Sequence, residues 1–322
     1  MANTPISVLV SSASGKFPLV DALIHAVNEV DSRGCVIVGD ISAQAPTLQF
    51  YKNTWVMPKT TDRNFSIILK ELLDKKITHV FPTRDGELIF WAKKKLELLN
   101  YGIIVLVSSK SSIETCVDKL KFYNFGLLMN LPFIETSKIL SNCTSKNNKY
   151  VVKEQYGSGS KSVFINLDYE DAYNVSKKLI NPIFQPFIEG TEISVDAYYD
   201  KQCNFIGLSL RKRDNVIEGE SQITSTFRDL NLEKEIEIIL SHLKLSGCVV
   251  IQAIIDSFGK IHIIECNARF GGASTVSQQV GLHSLKWAIS EKIETINKKP
   301  IFIREDFEVV QHRINIDHIK RL

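Results

Sequence analysis

The sequence predicts an N-terminal α/β domain followed by a larger α+β body, and three observations support this. The first hundred residues alternate short apolar runs with helical patterns, which is typical of a parallel sheet covered on both faces. From Tyr150 onward the pattern changes to strands joined by short turns. The length of 322 residues suits two or three fused lobes better than one simple core.

The N-terminal elements follow one another in a regular order. The predicted strands lie at 6–10, 35–40, 77–83 and 102–108, and the predicted helices lie at 19–30, 66–76 and 86–99. Ligands of such sheets bind near the carboxyl ends of the strands. We therefore expect functional side chains in the loops that follow these strands.

A predicted helix over 113–130, ended by Pro132, and a polar loop at 141–149 connect this domain to the body. The predicted strands of the body lie at 150–155, 162–166, 184–188, 192–200 and 203–213, and its predicted helices lie at 169–180 and 231–244. The remaining predicted elements are a hairpin within 248–269, a helix at 283–293 and a strand at 307–314.

Composition and charge exclude several classes of protein. The chain is 44% hydrophobic and 23% charged, as folded proteins are, and 39 basic against 36 acidic residues leave a net charge of +3. That near-balance argues against a nucleic-acid partner. No apolar run reaches the roughly 18–20 residues that span a membrane, and the first residues lack a secretory signal. The six cysteines form no CxxC pattern, so we expect a reduced, soluble, cytoplasmic protein with no structural zinc and no membrane partner.

The most informative segment is the predicted hairpin within 248–269. Two apolar strands flank the turn SFGK, and a loop over 257–260 would pair Asp256 with Ile261. The same register places Gln252 directly opposite Glu265, with both side chains on one face.

Asn267 points to that face as well, because strand side chains alternate with a period of two. Carboxylate and amide oxygens are the ligands that Mg²⁺ prefers, so Gln252, Glu265 and Asn267 form a candidate metal site. Arg269, two residues further on, is suited to stabilise phosphate charge. The alternative is the solvent face of an amphipathic hairpin, but four such polar residues in one row favour chemistry.

Two further segments suggest nucleotide binding. Lys153 ends an apolar strand, and the small-residue loop 157–161 that follows allows backbone N–H groups to approach a polyphosphate. This loop is not the GxxxxGK[ST] motif, and a flexible turn with a surface lysine is an equally good interpretation. The segment 184–196 has a short strand, a turn containing glycine and then a strand that begins near Glu192. Taken alone, it is an ordinary strand–turn–strand unit.

In this order and spacing, the strand-end lysine, the Gly/Ser loop, the FIEG-x-E segment and the Gln…Glu-x-Asn-x-Arg row resemble the ATP-grasp superfamily. The resemblance is greatest to the branch related to the carbamoyl-phosphate synthetase large subunit and the carboxylate–amine ligases, and ECNARFGG is its most specific run. It implies a Rossmann-like pre-ATP-grasp domain over 1–110, a small lobe with a linker helix over 111–190 and a large lobe with the metal site over 191–322.

The resemblance also implies a role for each matching residue. Those implied to hold ATP are Lys119 and Lys153 at the phosphates, Gly157, Ser158, Gly159 and Ser160 in a closing loop, Gln185, Phe187 and Ile188 at the adenine, and Glu192 at the ribose. The residues implied to bind one or two Mg²⁺ ions, with Mn²⁺ as an alternative ion, are Gln252, Glu265 and Asn267. Arg269 would steady the transferring phosphoryl group.

Three positions depart from the pattern of the superfamily. Pro186 stands where relatives often have glutamate, which restricts hydrogen bonding to adenine, and Ala268 replaces a common proline. The first metal position is Gln252 and not a carboxylate, which fits the carbamoyl-phosphate branch but lowers the charge of the site.

The activity implied is phosphorylation of a small-molecule carboxylate by ATP, followed by attack of an amine on the acyl phosphate. Arg211, which we also consider for a catalytic role, and Arg213 share one strand face before a polar loop, where they would clamp a substrate carboxylate. A solvated basic edge is the alternative. Arg84 and Asp85 follow a strand of the first domain and would grip an amino-acid substrate, although Asp85 would equally serve as a helix N-cap.

Two other functions compete with this one. A nucleotide-binding regulatory module of the same fold would need no metal-bridging Glu265. A nicotinamide-dependent oxidoreductase is suggested by Asp40 after the second strand, but the first loop, SSASGK, is not GxGxxG. The sequence is compatible with a homodimer.

Overall fold

The N-terminal domain contains a parallel sheet with helices packed on it. The computed structural model of the chain describes residues 4–157, 159, 162–217, 219–290, 299–314, 317 and 319. The strands of this domain are β1 (Ser7–Ser11), β2 (Cys35–Asp40), β3 (Thr54–Val56), β4 (His79–Pro82) and β5 (Ile104–Val105). Its helices are α1 (Phe17–Val30), α2 (Pro46–Phe50), α3 (Phe65–Asp74) and α4 (Asp85–Leu99). The predicted alternation of strand and helix is confirmed, and β3 and α2 are additions to it.

The strand order is β3-β2-β1-β4-β5, and every neighbouring pair is parallel. The order reverses between β1 and β4, so the loops that follow these two strands diverge to form a crevice at the carboxyl edge of the sheet. Lys16 lies in that crevice, where its Nζ donates to Ser12 O over 2.7 Å and to Thr83 Oγ1 over 3.0 Å.

The connection to the body is two helices, α5 (Lys110–Val117) and α6 (Lys119–Leu128), so the prediction of one continuous helix over 113–130 is wrong. Asp118 separates them with an extended backbone, and its Oδ1 accepts hydrogen bonds from the backbone N–H groups of Leu120 and Lys121. This side chain caps α6, and the new helix therefore starts with Lys119.

The body has two sheets. The smaller one has the order β7-β6-β8, is antiparallel, and carries α7 (Tyr169–Ser176). Its strands are β6 (Tyr150–Glu154), β7 (Phe164–Leu167) and β8 (Pro182–Pro186). The larger sheet is antiparallel with the order β13-β12-β9-β10-β11-β14. Its strands are β9 (Gly190–Tyr199), β10 (Phe205–Ile217), β11 (Glu220–Phe227), β12 (Gly247–Asp256), β13 (Ile261–Asn267) and β14 (Val310–His312).

We call the larger sheet with its helices the large lobe, and the smaller sheet with α7 the small lobe. The helices of the large lobe are α8 (Leu230–Ser241), α9 (Thr275–Gln278) and α10 (Ser284–Ser290). The predicted polar loop after Arg213 is wrong, because β10 continues to Ile217 and returns as β11 through a tight turn in which Gly219 has a φ of +78°. Residues 291–293 of the predicted helix at 283–293 lie outside the described residues. None of the described helices is long and apolar enough to cross a bilayer.

The two faces of the large sheet differ in chemistry. One face is apolar and packs on α8, with residues such as Val195 and Ile251 fully buried together with Ile236 of the helix. The other face carries charged and amide side chains. The N-terminal domain shares a hydrophobic core with the large lobe, in which Val10 and Leu23 join Phe270 and Leu285. The domain and the lobe are therefore held in a fixed relation.

Candidate active site

A cavity of about 450 Å³ lies between the small lobe and the polar face of the large sheet. Many of the residues predicted from the sequence line it. These are Lys119, Lys153, Gly157, Gly159, Gln185, Phe187, Ile188, Glu192, Arg213, Gln252 and Glu265. They come from segments spread over more than a hundred residues of sequence, and the fold brings them around one space. Ser158 and Ser160 of the predicted closing loop lie outside the described residues.

The hairpin that carries the candidate metal ligands differs from its predicted form at the turn. Ile255, and not Asp256, pairs with Ile261, because the turn has three residues with Gly259 at a φ of +78°. The predicted turn register is therefore wrong by one residue. A β-bulge at Ile264 corrects the shift, so Gln252 still lies opposite Glu265 as predicted.

Three polar side chains of this hairpin are in direct contact. Asn267 Nδ2 donates to Glu265 Oε1 over 3.0 Å. With the Gln252 amide assigned the orientation that satisfies both of its neighbours, its nitrogen donates to the same oxygen over 2.9 Å and its oxygen accepts from Arg213 Nη1 over 3.1 Å. The spacing in the sequence thus corresponds to a compact group of side chains: Gln252 and Glu265 line the cavity, and Asn267 lies beside them. Both amides direct their nitrogen at Glu265 and their oxygen at an arginine.

The donor set fits Mg²⁺ that arrives with a nucleotide. Glu265 provides one carboxylate, and Gln252 and Asn267 provide amides, all hard oxygen ligands. No group of three or more His, Cys, Asp or Glu side chains with metal-binding geometry occurs among the described residues. A single carboxylate does not balance the charge of a divalent ion that is bound by the protein alone. It suits an ion that takes its remaining ligands from phosphates and water.

Lys153 and Lys119 bring two ammonium groups to the cavity. Lys153 lies near the end of β6 with 5% of its surface exposed, and Lys119 begins α6 with 8% exposed. Burial lowers the pKa of Lys153 to about 8, an effect that the Glu265 carboxylate opposes and the Lys119 charge increases. Lys119 Nζ donates to Gly157 O over 2.8 Å, which ties the start of the Gly/Ser loop to α6. Two buried cations complement a polyphosphate.

The cavity also has apolar lining residues that were not predicted from the sequence. They are Ile134, Val151, Val163, Ile165, Ile254 and Ile264. Two of these positions had a signal in the sequence: Ile254 shares the strand face of Gln252, and Val151 shares that of Lys153. A cavity with apolar lining and a few polar groups is the common form of a small-molecule site.

Two predicted adenine contacts have hydrogen-bond partners within the protein. Gln185 is buried, and its Nε2 donates to Thr136 Oγ1 over 2.8 Å. The Phe187 N–H donates to Lys149 O over 2.8 Å. Pro186 has no N–H, and Ile188, which lines the cavity, keeps its backbone N–H. Glu192, predicted at the ribose, accepts a hydrogen bond from Arg213.

The structure separates the two arginines of β10. Arg213 lines the cavity and contacts Glu192 and Ser221. Arg211 is buried, with its Nε 2.6 Å from Asp196 Oδ2 and its Nη2 3.0 Å from Asp196 Oδ1. The Nε and Nη2 groups that would hold a substrate carboxylate are both bonded to Asp196. The prediction that Arg211 clamps a substrate carboxylate therefore conflicts with this geometry.

Replacing Arg211 with alanine is expected to lower the free energy of unfolding by about 3–5 kcal/mol, because it leaves Asp196 charged and buried without its partner. Urea unfolding followed by circular dichroism measures this. The control is Arg33→Ala, which breaks an exposed ion pair with Asp31 and should cost about 1 kcal/mol or less. Full stability together with lost activity would instead support a catalytic role for Arg211.

Arg84, Asp85 and Arg269 meet at the boundary between the N-terminal domain and the large lobe. Asp85 is the first residue of α4 and not its N-cap, and it forms a bidentate ion pair with Arg269. Arg84 occupies the N-cap position and is exposed. Arg269 also lies 3.4 Å from Asn267 Oδ1, through its Nη2. Asp85 thus links the first domain to Arg269, which in turn lies beside the candidate metal ligand Asn267.

Two protein-family models match the chain. Residues 116–273 match the ATP-grasp domain, and residues 8–106 match the PylC-like N-terminal domain. No curated protein matches the chain.

Several solved structures share the fold. The biotin carboxylase of Campylobacter jejuni is 15% identical, with a TM-score of 0.74 over 94% of this chain and 74% of that one. N5-carboxyaminoimidazole synthetase of Staphylococcus aureus, complexed with ADP, is 13% identical, with a TM-score of 0.70 over 95% and 81%. The L-amino acid ligase of Bacillus licheniformis is 16% identical, with a TM-score of 0.66 over 88% and 72%. None of these three is a carbamoyl-phosphate synthetase, so that finer branch stays a prediction.

Proposed function

Since the chain belongs to the ATP-grasp superfamily, we propose that it is a Mg²⁺-dependent ligase that uses ATP to join a small-molecule carboxylate to an amine. The products are an amide or peptide-type bond, ADP and phosphate. In this proposal residues 1–110 form the pre-ATP-grasp domain, and 111–190 and 191–322 form the two lobes that enclose ATP. The structural neighbours include a carboxylase and an amino acid ligase, which supports this class of reaction.

The observation that carries the proposal is the convergence of charges in one cavity. Lys119 and Lys153 lie on one wall, and Glu265 and Gln252 lie on another. The cations suit the phosphates of ATP, and the carboxylate suits a metal ion that accompanies them. The apolar side chains that line the same cavity suit a flat base. A protein that only bound the base would need neither of the charged walls.

The proposed reaction has two steps. An oxygen of the substrate carboxylate attacks the γ-phosphorus, the bond to the β–γ bridging oxygen breaks, and ADP leaves. The amine nitrogen then attacks the acyl carbon, the amine loses a proton, and phosphate leaves with the former carboxylate oxygen. Most of the acceleration in such a reaction comes from positioning and charge neutralisation.

The chain's own residues have separate tasks in this scheme. Lys119 and Lys153 neutralise the phosphates, and the segment that begins at Gly157 excludes water from the acyl phosphate. Glu265, Asn267 and Gln252 would hold Mg²⁺, which when bound supplies charge neutralisation at the triphosphate.

The experiment that tests the proposal measures ADP release from Mg·ATP in the presence of pooled amino acids and small carboxylates. We expect release that depends on one pool, together with a product whose mass equals that of the two substrates less one water. Splitting the active pool then identifies the carboxylate and the amine. Tight Mg·ATP binding without release in any pool would instead favour a nucleotide-binding regulatory module of the same fold.

A further inference from the structure

The ion pair between Asp85 and Arg269 joins residues that are 184 positions apart in the sequence. Arg269 Nε lies 2.8 Å from Asp85 Oδ1, and Nη2 lies 2.6 Å from Oδ2. The two side chains are 20% and 17% exposed, so the pair is largely shielded from water. Two parallel charge-assisted bonds to a planar guanidinium restrict both its position and its orientation.

Asp85 is itself held rigidly. It begins α4 directly after β4, and the fully buried Glu87 ties this helix start to its surroundings. Glu87 Oε1 accepts from the Thr83 N–H over 3.1 Å, and its Oε2 accepts from Ser11 Oγ over 2.5 Å and from Trp91 Nε1 over 3.1 Å. An acidic side chain in the first turn also interacts favourably with the helix dipole.

The residues next to the ion pair lock the two elements together. Phe270 follows Arg269, and its ring packs against Phe81 near the end of β4, with a centroid distance of 6.4 Å. Both rings belong to the core that the N-terminal domain shares with the large lobe. The distance between the backbones of Asp85 and Arg269 is therefore set by packing and not by the ion pair alone.

The hydrogen bonds of Arg269 leave little of its guanidinium uncommitted. Of its five N–H groups, two bond to Asp85, one Nη1 hydrogen bonds to Phe270 O over 3.2 Å, and one Nη2 hydrogen faces Asn267 Oδ1 at 3.4 Å. The second Nη1 hydrogen has no acceptor among the described residues. Asp85 therefore uses the bidentate edge and leaves a single N–H for a ligand.

The charges around the pair show why the carboxylate matters. Burial, and after it the positive charge of Arg269, lowers the pKa of Lys16, and Arg84 adds to this effect. Arg269 thus lies in a region with two other cations. Glu87 and Asp40 oppose the lowering of the Lys16 pKa. Without Asp85, the guanidinium would lose the two charge-assisted hydrogen bonds that fix its orientation.

We infer that Asp85 is a positioning residue: it holds Arg269 beside the metal-ligand row so that one Nη1–H reaches the terminal phosphoryl group of the nucleotide. The inference rests on the proposed function for the identity of that group. It makes the N-terminal domain a contributor to phosphoryl transfer, in addition to any part it has in binding substrate.

The test is a double-mutant cycle with Asp85→Asn, Arg269→Ala and the double variant. For each protein we would measure the dissociation constants of Mg·ADP and of the Mg²⁺ complex of β,γ-imido-ATP. The ratio used below is the dissociation constant of Mg·ADP divided by that of the imido complex. Because only the imido nucleotide has a γ-phosphoryl group, we expect each single variant to reduce the ratio by about tenfold, the effect of one charge-assisted hydrogen bond. The double variant should match Arg269→Ala, with Mg·ADP affinity unchanged throughout.

The control is Asp31→Asn, which removes an Asp–Arg ion pair with Arg33 in the same domain, at a loop before β2. It should leave the ratio at the wild-type value. A wild-type ratio in either single variant overturns the inference, and so do effects that multiply in the double variant. A purely structural role would lower the thermal midpoint or the Mg·ADP stoichiometry without changing the ratio, which also overturns it.

The binding ratio separates this inference from the proposed function. If no substrate pool supports ADP release, the ligase proposal fails, but the cycle still decides whether Asp85 positions Arg269. Where a pool is active, kcat/KM for ATP should fall by about tenfold or more in Asp85→Asn, in line with the weaker binding of the γ-phosphoryl group.

Discussion

Replacement of Glu265 with alanine is expected to lower ADP release by about a thousandfold or more, because the change removes the one carboxylate among the three candidate metal ligands. Gln252 and Asn267 carry no charge that could compensate. The fold should persist, since Glu265 is half-buried on the polar face of the sheet and both amides can bond to water instead.

ADP release with the active substrate pool measures this effect. The Mg²⁺ dependence of the residual rate shows whether the loss arises from metal binding. The matched control is Glu237→Ala, which removes an exposed carboxylate from α8, on the apolar side of the same sheet. Unfolding by urea should be similar in both variants. Wild-type turnover in Glu265→Ala would show that this row of side chains does not hold the metal.

The affinity for Mg·ADP is expected to fall as the pH rises above 8, and Lys153 is the reason. Its pKa is lowered from 10.5 to about 8, chiefly by burial, so the ammonium that would contact the phosphates is lost as the pH passes 8. If only the protonated lysine binds, the dissociation constant at pH 9.5 would exceed that at pH 7 by about 30-fold. Deprotonation of Lys153 removes its positive charge, so binding of Mg·ADP weakens as the pH rises.

Isothermal calorimetry between pH 6.5 and 9.5 measures this dependence. Lys153→Met should bind Mg·ADP about 10–100-fold more weakly at pH 7, the effect of one charge-assisted hydrogen bond, and its affinity should vary less with pH. Lys121→Met, which removes an exposed lysine two residues after Lys119 in the same helix, is the control and should behave as wild type. A wild-type affinity that stays constant up to pH 9.5 would contradict the role of Lys153.

Much of the fold followed from local patterns. The apolar runs of the first domain predicted four of its five strands, because strands buried on both faces are almost continuously hydrophobic. The three-residue strand Thr54–Val56 was missed, since so short a segment shows no period. The break at Asp118 was missed for another reason. The helical pattern continues through it, while its side chain bonds to Gln155 and Tyr156 in a distant part of the chain.

The candidate site was also predicted in part from local patterns and missed in part. By itself the sequence determined that Gln252, Glu265 and Asn267 share one face of a hairpin, because strand side chains alternate and hairpin partners are close in the chain. Even there, the predicted pairing holds only because a bulge offsets the shorter turn.

Other parts of the site were decided by the tertiary structure alone. Arg211 and Arg213 look alike in the sequence, but one is neutralised by Asp196 in the interior and the other faces the cavity. The contact of Asp85 with Arg269 and the apolar walls of the cavity depend on how the domain and the lobes pack. The physical reason is range: alternation and turn chemistry act between residues a few positions apart. Ion pairs and cavities form between residues that only the packing of the whole chain brings together.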